Sequence, residues 1–372
     1  MKIAVIYGGK SGEHEVSLVS ATSIVRNIKN HEVFLVGITK DGRWFLQEQA
    51  ELDRVRKNPC TTLSITEKDD CAVSIFPGGG SISGLSTPKG TLSVDAALIA
   101  LHGTFGEDGT IQGLMDMAGI PYTGCSCASS AMAIDKEKTK NLWHDAGLPV
   151  LPHVCIKKGE YTKENGLQAE KLMLQAEKDF GYPLFVKPCG TGSSVGASKV
   201  LDSSQLEQAV KEAFLWDNKI LIEPALDARE IECSVTGNSV VDLDVHAFTP
   251  GEIIPSHDFY DYDAKYTDPD GAQLCIPANL SQEKMDFIKK VAVRAYKALD
   301  CSGLSRVDFF IDKRKDSLYL NEINTMPGFT SISMFPKMCE ASGLAYSDLI
   351  ELLIKQAIER FSEQSKIKTC RN

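Results

Sequence analysis

Residues 306–324, RVDFFIDKRKDSLYLNEIN, concentrate the side chains best suited to chemistry. In an extended strand, alternation puts Arg306, Asp308 and Phe310 on one face, and on the returning segment Leu318, Leu320, Glu322 and Asn324 share a face. If a turn over 312–316 joins antiparallel neighbours, Asp308 comes beside Glu322 and Asn324. Two carboxylates and an amide oxygen then stand next to an arginine. Carboxylates this close repel unless a proton or cation intervenes, and hard oxygen donors suit magnesium bridging nucleotide phosphates. One ion between Asp308 and Glu322, and a second between Glu322 and Asn324, would neutralise a phosphoryl group in transfer. Taken alone, a solvated turn with ordinary ion pairs explains these residues equally well. The apolar neighbours and the NTMPG turn at 324–328 favour a buried site.

A second polar constellation lies upstream. The run from Phe185 to Lys187 leads into Pro188, Gly190, Gly192, Ser193, Ser194 and Gly196. Glycines let successive backbone N–H groups approach phosphate oxygens, and serines add short hydroxyl donors. This is not the common GxxxxGK[ST] loop, because no lysine closes the turn; Lys187 precedes it, placed to reach α- and β-phosphates from a strand. By itself the segment also fits a flexible surface loop, and the acidic hairpin tilts the reading towards phosphate. Lys136, in AIDKEKTK, is a candidate second phosphate cation, although an isolated lysine on a charged helix ordinarily faces solvent. Glu223 and Glu230 flank a turn after a strand and could accept adenine and ribose donors; unaided, that reading is equally weak.

These side chains need elements to position them. Residues 2–7 read as a strand ending at Gly8 and Gly9, 17–30 as a helix, and 32–39 and 94–102 as strands, an alternation that predicts a mostly parallel α/β sheet. The Gly/Ser-rich stretch 77–90 reads as a surface excursion. Residues 128–146 read as one helix stopped by Gly147 and Pro149. Strands are expected at 150–156, 182–187, 219–223, 231–235, 239–245 and 306–311, with helices at 168–179, 283–299 and 347–361.

The chain's 372 residues, 43% hydrophobic and 24% charged, suit two or three folded units. A net charge of −10 gives no general attraction to nucleic-acid phosphates. The apolar run in MKIAVIYGGK is too short for a signal peptide and reads as a buried strand. No stretch is long and apolar enough for a membrane span. The eleven scattered cysteines suit reduced, buried side chains better than a disulfide framework or a thiolate zinc site, and a cytoplasmic location is expected.

Together with GGKSGEHEVSL at 8–18 and HGTFGEDGTIQG at 102–113, the segments KPCGTGSSVG, EPALDAREIE, FYDYDAKY, RVDFF and NEINTMPGFTSISMFP resemble, in order and over essentially the whole chain, the D-alanine–D-alanine ligases of the ATP-grasp superfamily. The resemblance implies an α/β, three-domain ATP-grasp architecture: an N-terminal parallel-sheet α/β domain at 1–124, a central domain at 125–221, and a C-terminal nucleotide- and magnesium-binding domain at 222–372. It implies ATP-dependent joining of two D-alanine molecules through a D-alanyl phosphate, for peptidoglycan precursor synthesis. Two magnesium ions, or manganese in their place, and a homodimer are implied as well.

Residue by residue, the resemblance assigns Lys136, Lys187, Ser193 and Ser194 to the ATP phosphates, and Glu223, Pro224, Ala225, Leu226 and Glu230 to the adenosine side. It assigns Asp308, Glu322 and Asn324 to the metals, and Arg306 to the reacting carboxylate and phosphate. Glu15 is matched to the ammonium group of the first D-alanine, with His102 and Gly103 in a nearby loop. Ser333 and Met334 lie near the second amino acid. Glu15, Ser193 and Tyr266 resemble a hydrogen-bonded closure triad, and Lys265 adds positive charge beside Tyr266. For His102, proton acceptor and structural imidazole both stay open. The Lys265–Tyr266 pair disfavours D-lactate as second substrate, whereas D-serine is harder to reject. The alternatives are a D-alanine–D-serine ligase, another ATP-grasp carboxylate–amine ligase, and a non-catalytic nucleotide-binding module; the last leaves the acidic hairpin unexplained.

Overall fold

The computed structural model describes residues 1–161, 166–192, 195–242, 244–255, 272–330 and 332–368. Its first sheet runs in the order Trp44–Leu46, Glu32–Ile38, Lys2–Gly8, Ala96–Ile99. The central strand Lys2–Gly8 is parallel to both Glu32–Ile38 and Ala96–Ile99, as the alternating pattern predicts. It is buried from Ile3 to Gly8, which explains its continuous apolar run. The helix His14–Asn27 packs against it. The stretch 77–90 is more ordered than expected: it forms a short helix, Gly80–Ser83, and the paired strands Leu85–Thr87 and Gly90–Leu92, with Leu85 and Leu92 buried.

The second sheet is antiparallel, in the order Ser198–Val200, Leu184–Pro188, Lys219–Pro224, Val154–Lys157. Leu184, Val186, Ile220 and Ile222 join a core with Ala169, Ala176, Val210 and Ala213 of two helices, Gly166–Phe180 and Ser203–Trp216. Period-two alternation therefore sends Phe185, Lys187 and Glu223 to the opposite face. The strand Lys219–Pro224 completes this sheet, so the expected boundary after residue 221 falls inside a strand.

The third sheet is built on Ala228–Asn238 and Ser302–Asp312, paired antiparallel along their whole length. Leu318–Asn324 flanks one side, and Gly251–Pro255 and Ala272–Cys275 the other. Ile231, Cys233, Val235, Val307, Phe309 and Ile311 pack against Ile288, Val291, Ala292, Ala295 and Tyr296 of the helix Gln282–Lys297. Residues 239–242 form a turn, and Val245–Ala247 is the strand there, so a strand at 239–245 is not found.

Two further expectations change. The helix read over 128–146 is two helices, Cys127–Ile134 and Lys136–Asp145. Asp135 separates them because its backbone is extended and its carboxylate caps the second helix, accepting the Lys138 N–H at 3.1 Å. The last helix, Tyr346–Ser365, grouped by sequence with the C-terminal unit, buries Leu349, Ile350, Leu353 and Ile354 in the same core as Ile3, Val5, Ile24 and Val25. Arg360 on that helix donates to the Tyr122 carbonyl at 3.0 Å.

Asp135 also pairs with Lys219, which contacts Glu137 at 3.0 Å. Asp135→Ala removes a cap and one ion-pair partner together. It is expected to lower stability by about 1 kcal/mol or more, measured as a drop in the denaturant midpoint with unchanged slope.

Candidate active site

Between the second and third sheets lies a cleft of about 1310 Å³. Its walls are the polar faces just described: Lys187 and Glu223 from one sheet, Glu230, Glu232, Arg306, Asp308 and Glu322 from the other, with Lys136 at one end. Phe185, Leu226, Ile253 and Phe310 supply apolar lining, and Pro224 and Ala225 border it. Apolar walls with a few convergent charges suit a nucleotide whose base is buried and whose phosphates are gripped.

The acidic hairpin forms as the spacing predicts, with Asp308 opposite Glu322 and Arg306 opposite Asn324. The facing of its second strand differs from the sequence reading. Asp308 pairs with Glu322 but Phe309 pairs with Leu320, so Asn321 is an extra, bulged residue. Before the bulge Leu318 and Leu320 enter the core; after it Ile323 does, which turns Glu322 and Asn324 the other way. The four residues thus do not share a face.

Arg306 grips Asp308 with two hydrogen bonds of 2.7 Å and stands 3.1 Å from Glu232. Burial works against its charge, but Asp308, Glu232 and Glu322 outweigh that and hold it protonated. Lys136 reaches across from its helix, donating to the Thr191 carbonyl at 2.7 Å and lying 3.3 Å from Glu322. It is buried, contrary to the ordinary fate of a lone helical lysine. The bulged Asn321 accepts a hydrogen bond from Lys187 at 3.1 Å.

Glu223 does something the sequence reading did not assign. Its carboxylate, 2% exposed, contacts Lys187 and Lys140 at 2.7 Å each. Burial pushes this carboxyl up, but the two lysines overcome it and hold it down at about 2. The side chain thus joins the cleft wall to two lysines, a role beyond the adenine contact read from the sequence. Glu230 does face the cleft.

The donor set fits a hard divalent cation. Asp308 and Glu322 are cross-strand neighbours, and Asn324 Oδ1, which accepts the Met326 N–H at 2.8 Å, keeps a second lone pair. Among the described residues there is no group of three His, Cys, Asp or Glu side chains suited to a metal. Two carboxylates and an amide are thus a partial shell, which phosphate oxygens would complete.

Beside the hairpin, the segment after the first strand meets the loop after Ala96–Ile99. Gly103 adopts φ +68°, and a Cβ there would lie 2.6 Å from Ser11 Oγ and 3.2 Å from Glu13 Oε2. Only glycine lets these loops approach so closely. Glu107 is buried and accepts the Gly103 N–H at 2.9 Å. Burial, reinforced by the charge of Glu13, pushes its carboxyl up to about 8; Arg306 and Glu322 also act on it, so this corner adjoins the hairpin electrostatically. Glu13, at the N-terminus of the helix His14–Asn27, thus shares this corner with Glu107.

Glu15 does not. One residue into the helix, it points outward with 68% of its side chain exposed and pairs with Lys40 at 2.7 Å. The motif GEHE offers two glutamates, and the helix start decides which faces inward.

His102 is buried between Ser20 Oγ, 2.9 Å from Nε2, and the Met326 carbonyl, 3.0 Å from Nδ1. A carbonyl only accepts, so Nδ1 carries the proton and Nε2 accepts from Ser20. Burial holds the ring neutral. Both nitrogens are thus engaged, and His102 acts as a brace. Ser333 Oγ accepts the Thr330 N–H at 3.1 Å. Met334 is buried with Ile253 and Met338 against Gly251, a packing position rather than an open subsite wall. Ser193, Ser194, Lys265 and Tyr266 lie outside the described residues.

Residues 2–125 match the family model for the D-ala D-ala ligase N-terminus, and residues 142–355 that for the C-terminus. The chain is 54% identical to a D-alanine–D-alanine ligase of Treponema denticola, covering 100% of both chains. It is 45% identical to one of Caldicellulosiruptor bescii, over 99% of this chain and 98% of that one. Among solved structures, the D-alanine–D-alanine ligase of Coxiella burnetii is similar with a TM-score of 0.81 at 33% identity, covering 98% of this chain and 96% of that one. The VanG D-Ala:D-Ser ligase of Enterococcus faecalis is similar with a TM-score of 0.81 at 35% identity, covering 96% and 99%. With both family models in sequence order, and a cleft whose acidic hairpin and lysines suit a magnesium nucleotide, the chain belongs to the D-alanine–D-alanine ligase family of ATP-dependent ATP-grasp enzymes.

Proposed function

We propose that the cleft between the second and third sheets joins two D-alanine molecules at the expense of ATP, with activation at the acidic hairpin and amino-acid binding at the Glu13 corner. The observation that carries this reading is the hairpin itself, where Asp308 faces Glu322 in register beside Arg306 and Lys136.

Adenosine lies along residues 224–226 and Glu230, against Phe185 and Phe310. Lys136 and Lys187 hold the phosphates. Asp308, Glu322 and Asn324 would hold two magnesium ions, or manganese, which screen the negative charge of the phosphates when bound. The first D-alanine binds with its ammonium at Glu13, which replaces Glu15 in that role, and its carboxylate towards Arg306. That carboxylate attacks the γ-phosphorus; the bond to ADP breaks and an acyl phosphate forms. The neutral amine of the second amino acid then attacks the acyl carbon, the acyl–phosphate bond breaks, and the departing phosphate takes up the proton that the nitrogen loses. Arg306 offers planar N–H donors to the carboxyl oxygen as negative charge develops on it. Ser333 is the proposed contact for the second carboxylate. Closure by Ser193, Lys265 and Tyr266, and homodimer formation, rest on the family resemblance.

The second substrate is the point at which a neighbouring specificity competes, since a D-Ala:D-Ser ligase shares the fold at 35% identity. ADP release with D-alanine alone, and D-alanyl-D-alanine as product, is the expected outcome. Preference for D-serine over D-alanine as acceptor would replace this reading. Glu322→Gln is expected to cut turnover by a factor on the order of 10² to 10³ in a folded protein, and wild-type turnover would remove the hairpin from the chemistry.

The two glutamates of GEHE separate cleanly. Glu13→Gln is expected to lower kcat/KM for D-alanine roughly 10- to 100-fold, and Glu15→Gln to stay within about twofold of wild type. The reverse pattern in steady-state kinetics would restore Glu15.

Glu107 makes a stability prediction. Its carboxyl is raised from 4.5 to about 8, so between those values the native state keeps a proton that the unfolded state has lost. The stabilisation is complete below the lower value and is lost as pH rises through the upper one. Glu107→Gln, always neutral, should therefore gain in Tm over wild type as pH goes from 5 to 9. A difference independent of pH would refute the assignment.

A further inference from the structure

Lys140 is completely buried, 0% exposed, one helical turn after Lys136 on the helix Lys136–Asp145. It does not line the cleft, and the ligase chemistry just described makes no use of it. A lysine out of water is costly unless its charge is met. Here it is met by Glu223 at 2.7 Å, and the other oxygen of the same carboxylate contacts Lys187 at 2.7 Å.

We propose that Lys140 is a positioning residue that sets the charge of the phosphate site: by sharing the Glu223 carboxylate, it leaves Lys187 with positive charge for the nucleotide. Two ammonium groups against one carboxylate leave the trio with one net positive charge. Without Lys140, Glu223 and Lys187 form a one-to-one pair that presents the phosphates with no net charge. The carboxylate also fixes where that charge sits. Among the described residues Lys187 is tied by Glu223 Oε2 and by Asn321 Oδ1 at 3.1 Å, which occupies two of its three N–H donors and lets the third serve a ligand oxygen. Burial and the neighbouring Lys187 pull the Lys140 ammonium down, and the Glu223 carboxylate lying between the two lysines opposes this without cancelling it.

The inference rests on the cleft's being the ATP site, and the test separates the two. Full-length wild type, Lys140→Met and the double variant Lys140→Met/Glu223→Gln are titrated calorimetrically with the magnesium complex of a β,γ-imido ATP analogue and, separately, with adenosine. Failure of wild type to bind the analogue would overturn the site assignment itself. Given binding, Lys140→Met should weaken the analogue about 10- to 100-fold, the range of one charge-assisted contact, while leaving adenosine within about twofold. The double variant, in which Lys187 alone supplies one positive charge, should regain most of the analogue's affinity. A merely structural role predicts equal losses for both ligands and a double variant no better than the single one. Either result would sink the proposal. If Lys140→Met alone does not fold, the double variant still decides: analogue affinity near wild type supports the charge balance, and a loss beyond tenfold refutes it.

Discussion

The extra residue at Asn321 sets which side of the third sheet receives the polar side chains of its neighbouring strand. A strand has no other way to bury Leu320 and Ile323, three residues apart, on one face while pointing Glu322 and Asn324 towards the opposite one. The bulge makes Glu322 a neighbour of Asp308 across the ladder and of Lys136 across the cleft. Its own side chain meets Lys187, so one irregularity in pairing ties the cleft's two sheets together.

Around that hairpin the protein keeps its charges in small, nearly balanced groups. Arg306 is shared by Asp308 and Glu232, and Glu223 by two lysines. Charges fixed this way have already been desolvated and oriented before a substrate arrives, which is what makes them effective when charge moves during reaction. The Glu13 corner works differently. There a neutral imidazole, a carboxyl pushed towards its protonated form and a glycine at φ +68° surround the Glu13 carboxylate.

Much of this was legible in the residues. Alternation in RVDFF and the apolar run IAVIY gave the strands, and Asp308 opposite Glu322 followed from an antiparallel turn. The bulge escaped because alternation assumes an unbroken ladder; the shift from Leu318 and Leu320 to Ile323 was its only trace. The sequence reading takes Glu15 and passes over Glu13, because which of the two faces inward depends on where the helix starts. Lys140 was hidden among AIDKEKTK, where charge density suggests solvent, because its burial depends on a carboxylate 83 positions later, the difference between residues 223 and 140. The single helix over 128–146 failed at Asp135, whose capping competes with continuing the helix.

The last helix fills the core of the first sheet, with Leu349, Ile350, Leu353 and Ile354 against Ile3, Val5, Ile24 and Val25. During synthesis, strand Lys2–Gly8 leaves the ribosome long before its apolar partners exist. The opening unit therefore cannot finish folding in the order of translation. Part of its hydrophobic face has no native partner until nearly the whole chain has emerged, so this core closes last to first, by its C-terminal helix.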